Sequence, residues 1–252
     1  MAWLEKSGNP ALNEKTFQQT IPISDGSGMT VTGTLNKFGI MFLLLLASAS
    51  FVWKAAAEGK SIGGWILAGA IGGLIVVIIA AFKPQWSSFL APVYALLEGA
   101  FVGGISAYYN DAFAKVAPNI VMQAVGLTFG VVIAMYALYH FRVIKVTQKL
   151  RSIIFMATAG IAIFYLLSFV LGMFGIQMPL IHENTSWGIL FSLLVVGIAS
   201  LNLLLDFDMI ERGAAMGAPK YMEWYGSLGL MVTIVWLYIE ILRLLSKLSS
   251  RN

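Results

Sequence analysis

IGGWILAGAIGGLIVVIIAAF, residues Ile62–Phe82, runs 21 residues without a charge and ends at the Lys83-Pro84 pair. A helix rises 1.5 Å per residue, so about 20 apolar residues cover a hydrocarbon core of about 30 Å. Working outward from it, six more apolar runs of similar length follow the same reading. They are Phe38–Ala57, Ser88–Tyr109, Ile120–Phe141, Ile153–Ile176, Trp187–Ile210 and Met222–Leu245. In lipid every backbone N–H and C=O needs a partner within the segment, and continuous apolar runs without strand alternation satisfy this only as helices. The sequence therefore predicts an all-α integral membrane protein of seven transmembrane helices.

Composition agrees. Of 252 residues, 59% are hydrophobic and 11% charged, against about 25% charged in a soluble domain. The mean hydropathy is +0.83. A soluble fold cannot wrap that much apolar chain in polar surface. The net charge of +4 comes from sixteen Lys and Arg scattered through short gaps. No dense basic patch interleaved with aromatics occurs, so nucleic acid is not an expected partner. Cysteine is absent, which excludes disulfides and thiolate metal sites.

Residues 1–36 read as a polar N-terminal tail and 37–252 as the membrane domain. The tail is rich in Gly, Pro, Asn, Ser and Thr and lacks the apolar core of a cleavable signal. Lys6, Lys15, Lys37, Lys83, Arg142, Lys145, Lys149, Arg151, Arg212 and Lys220 fall on the N-terminal side of the predicted spans. Only Lys54, Lys60 and Lys115 occupy the opposite short gaps. Ten against three favours a cytosolic N-terminus, although Arg243, Lys247 and Arg251 at the C-terminal end pull the other way. Three glycine pairs at four-residue spacing, Gly69/Gly73, Gly99/Gly103 and Gly126/Gly130, suit close helix packing in lipid. Trp65, Trp86, Trp187 and Trp224 lie near span ends, as interfacial anchors do.

Charges inside spans are the informative residues, since each costs at least about 2.5 kcal/mol at mid-membrane. The candidates are Glu98 in the third span, Asp206 and Asp208 in the sixth, and Glu223 and Glu240 in the seventh. All are acidic, and no Lys or Arg lies deep enough in a predicted span to be an obvious partner. Buried carboxylates settle their charge by protonation, by sharing a proton, or by holding a hard cation such as calcium. Hydrogen-bonded protonation would equally account for Glu98, and helix-end placement for Glu223. The motifs of zinc proteases, serine hydrolases and P-loop enzymes are missing, so no enzyme is expected. His140 and His182 are the only histidines and fall at opposite ends of the predicted topology.

The same stretches carry a family resemblance. SGNPALNEKTF at Ser7–Phe17, YALLEGAFVGGIS at Tyr94–Ser106, LDFDMIERG at Leu205–Gly213 and APKYMEWYGSLGLMVTIVWLYIEILRLL at Ala218–Leu245 resemble the Bax inhibitor family in its bacterial YccA-like branch. The resemblance implies seven helices with the last one central and surrounded by six. It implies a pH-sensitive calcium leak in a bacterial inner membrane, with no resident cofactor. It places the family's carboxylate sensor, and a metal if one binds, at Asp206 and Glu240, the latter a Glu where the family has Asp. Glu223 is the alternative partner of Asp206. Lys83 stands where the family has a basic latch residue. The alternative function the resemblance implies is an interaction protein that modulates a membrane-bound ATP-dependent protease, gripped through the polar tail.

Overall fold

The computed structural model describes residues 28–175 and 185–250. Seven helices among them are long and apolar enough to cross a membrane. They are α1 (Val31–Ala57), α2 (Gly63–Phe82), α3 (Ser87–Ala112), α4 (Ile120–His140), α5 (Gln148–Met173), α6 (Ser186–Ala215) and α7 (Met222–Ser249). A single 3-10 turn at Pro84–Trp86 leads into α3. No strand occurs among the described residues. α7 is the most buried of the seven, with 61% of its apolar window buried against 17–22% for α1, α2, α4 and α5. That is the burial expected of a central last helix.

Helix existence follows the apolar runs, whereas several ends run past them. α1 starts at Val31, inside the stretch read as tail, because Thr30 caps it by accepting from the Gly33 amide. Thr147 caps α5 the same way, accepting from Leu150, and takes that helix back to Gln148. α6 continues through Glu211 and Arg212 to Ala215, and α7 runs on to Ser249. The Ser7–Phe17 signature and His182 lie outside the described residues.

The chain divides into two compact units. One contains α1, α2, α3 to Asp111, and Asp206–Val232, the end of α6 and the start of α7. Here the glycine spacing has its expected use. A Cβ on Gly69 would stand 2.5 Å from the Leu97 carbonyl oxygen, and one on Gly73 would stand 2.7 Å from the Glu98 carboxylate. Gly99 and Gly103 press on the α1 backbone at Leu45 and Ala49. Ser48 adds a bond from its hydroxyl to the Leu96 carbonyl at 2.7 Å.

The other unit contains α4, α5, α6 up to Leu205, and α7 from Thr233 onward. Asn202 donates to the Thr158 hydroxyl at 2.8 Å and ties α6 to α5. Phe164 meets Phe191 edge to face at 5.2 Å. The third glycine pair departs from expectation. Gly126 and Gly130 are exposed, and a Cβ on either meets nothing within 4 Å. The spacing is the same as in α2 and α3, but this face of α4 is turned away from the protein interior. The backbone-contacting glycines therefore carry a stability prediction. Gly103→Ala is expected to cost about 1–3 kcal/mol by overpacking, and Gly126→Ala to stay within about 0.5 kcal/mol of the parent or gain slightly. Thermal unfolding in detergent checks this, and equal losses at both positions would contradict the packing described.

Candidate functional site

A buried carboxylate in a low-dielectric interior needs donors or an opposite charge. In the first unit Glu223, in the first turn of α7, is fully buried. Its Oε1 accepts from the Thr30 amide at 2.9 Å, the Thr30 hydroxyl at 2.9 Å and Lys220 Nζ at 2.8 Å. Its Oε2 accepts from Lys37 Nζ. The Thr30 hydroxyl thus both caps α1 and binds the acid. Gly33 leaves the room, since a Cβ there would run into the carboxylate. Lys37 also lies 5.6 Å from the Trp224 ring centre, a favourable cation–π placement. Around this core, Met29 N–H donates to the Ala218 carbonyl at 2.6 Å, and the Ser227 hydroxyl to the Thr34 carbonyl at 2.7 Å. The entry to α1 is thereby fastened to the α6–α7 turn.

The same unit holds three further acidic candidates and Lys83. Asp206 is fully buried in α6. Asp208 is 9% exposed and pairs with Arg212 one turn on, at 3.3 Å. Glu98 is hydrogen-bonded to Tyr94, one turn earlier on α3, and its carboxylate lies against Gly73 of α2. Lys83 is exposed at the C-cap of α2.

Glu240 belongs to the other unit. It is 1% exposed in α7. The Tyr165 hydroxyl of α5 lies 3.0 Å from both of its oxygens. Arg243 Nη1 donates to Tyr165 Oη at 2.7 Å and to the two Glu240 oxygens at 3.1 and 3.2 Å. The guanidinium carbon also sits 5.0 Å from the Tyr165 ring centre. Acid, phenol and guanidinium close on one another, with charge neutralised inside the cluster. One turn further, Lys247 is 3% exposed and donates to the Gly188 carbonyl at 3.0 Å. Among the described residues, no three or more His, Asp or Glu gather as a metal-holding group.

The expectation that the intramembrane acids lack basic counterparts is corrected by these pairs. Glu223 has Lys37 and Lys220, Asp208 has Arg212, and Glu240 has Arg243. Lys37 and Arg212 lie on helical turns that run past the apolar cores, Lys220 in the turn before α7, and Arg243 near the end of the last apolar run. Three of these contacts have a local signal in the sequence, because Lys220/Glu223 and Glu240/Arg243 are three apart and Asp208/Arg212 four. Lys37 and Tyr165 have none, being 186 and 75 residues from the acids they bind.

A family model described as Bax inhibitor 1 like matches residues 9–250. The chain belongs to the Bax inhibitor 1-like family. A search of individual curated proteins returns no match. The family match covers both the Glu223 cluster and the Glu240 cluster.

The Glu223 cluster predicts unequal costs. Glu223→Ala leaves Lys37, 17% exposed at its side chain, and two Thr30 donors without their acceptor. It is expected to destabilise by about 3–5 kcal/mol. Lys220 is 57% exposed, and Lys220→Ala is expected to cost no more than about 1 kcal/mol. Chemical denaturation in mixed micelles measures both, and a Glu223→Ala loss as small as that of Lys220→Ala would refute the cluster's role.

Proposed function

We propose that this Bax inhibitor 1-like protein is a pH-sensitive cation leak, conducting calcium, in which buried carboxylates of α6 and α7 control passage. The observation that carries the reading is the closed Glu240–Tyr165–Arg243 cluster. A carboxylate 1% exposed in a membrane helix would attract a passing cation, and here an internal guanidinium occupies it. Arg243 then acts as a built-in competitor for the permeating ion. Asp206, fully buried in the other unit, is the second carboxylate in this reading. The YccA-like branch and an inner-membrane location with the N-terminus in the cytosol go with this reading, supported by the ten-to-three excess of bases in the short gaps.

The experiment is calcium flux into proteoliposomes between pH 6 and 8. The wild type is expected to vary with pH, and Asp206→Asn, which fixes that side chain as neutral, to flatten the profile. Arg243→Gln frees the Glu240 carboxylate and is expected to raise flux about tenfold, equivalent to about 1.4 kcal/mol of lost competition. Tyr165→Phe, which keeps the ring and loses the hydroxyl, should give a smaller rise. Flux of Asp206→Asn and Arg243→Gln indistinguishable from wild type at every pH would overturn the proposal.

A further inference from the structure

A cavity of about 390 Å³ opens where α1 ends, α2 begins and α3 ends, and none of the acids considered above lines it. Its volume lies within the roughly 300–1,000 Å³ usual for small-molecule sites. Trp53 and Tyr108 contribute aromatic surface, Asp111 a carboxylate, Lys60 an ammonium and Asn110 a carboxamide, while small side chains such as Ala56 leave the space open. The lining thus offers both signs of charge beside aromatic rings. An aromatic surface with a carboxylate suits a primary or quaternary amine through cation–π attraction and ion pairing. An ammonium and a carboxamide suit a phosphate or carboxylate. Lys60 bonds Glu58 at 2.6 Å, but both side chains are exposed, 69% and 44%. Such a pair holds weakly, so Lys60 is available to an anion.

Position narrows the ligand. The apolar run of α1 ends at Ala57, which lines the cavity. A run of about 20 residues just spans a hydrocarbon core of about 30 Å, so the end of that run, and the cavity with it, is expected at headgroup level. We propose that this cavity binds a zwitterion carrying an amine and a phosphate or carboxylate, either the headgroup of phosphatidylethanolamine or a free small molecule of the same chemistry. The amine sits against Trp53, Tyr108 and Asp111, and the anionic group against Lys60 and Asn110.

The test uses the full-length protein in detergent. Native mass spectrometry with equal amounts of phosphatidylethanolamine and phosphatidylglycerol reads lipid retention, and free phosphoethanolamine is added as competitor. Retention of phosphatidylethanolamine over phosphatidylglycerol by about fivefold is expected, falling toward parity in Asp111→Asn and in Tyr108→Ala. Both are exposed positions, so these variants are expected to fold, which thermal unfolding verifies. Competition by phosphoethanolamine supports a site that also takes the free molecule, and its failure with the lipid preference intact supports the lipid headgroup alone. Equal retention of both lipids together with no binding of phosphoethanolamine overturns the proposal. So does a preference unchanged in both variants.

Discussion

Burying charge where water cannot follow is the constraint on which this structure turns, and Glu223 is its fullest expression. A carboxylate with no exposed surface is stable only if its donors are fixed in place. Here the donors come from the α1 cap, from the second turn of α1 and from the turn before α7. Satisfying one acid therefore dictates where three chain segments lie. Gly33 follows from the same demand, since any side chain there would displace the carboxylate.

The polar turns at helix ends make sense in these terms. Hydropathy alone ends a helix where polar residues begin, and that rule puts the start of α1 at Phe38 and the end of α6 at Ile210. The chain goes on winding because Lys37 and Arg212 have carboxylates to meet at their own depth. A base that has found its acid in the interior no longer resists the helix that carries it inward. In the same way Lys247, on the last turns of α7, is buried with a carbonyl for its ammonium.

How much was legible in the sequence follows from range. The seven spans were legible because length and apolarity are local properties, and α2 is bounded by Lys83-Pro84 almost as the sequence has it. The acids within the spans were legible too, since charge stands out in apolar sequence. Their partners were not, because Lys37 meets Glu223 across 186 residues and Tyr165 meets Glu240 across 75. Glycine spacing failed in a different way. It identifies a smooth helix face but not which way the face points, so Gly99/Gly103 and Gly126/Gly130 look alike in sequence and differ in contact.

The two acidic clusters of α7 also differ in how they can open. Glu223 is held by donors from separate segments, one of them the α1 backbone amide, so freeing it requires whole segments to part. Glu240 is held by Arg243 three residues along the same helix and by one tyrosine hydroxyl. Arg243 is 27% exposed at its side chain, and its long stem lets the guanidinium reach water by changing rotamer while the helix stays wound. In the proposed reading the first arrangement is a fastening and the second a switchable pair. A leak that opens and closes without unfolding needs its moving part to be a side chain of the second kind, which is why the proposed control point is Glu240 with Arg243 and the proposed anchor is Glu223.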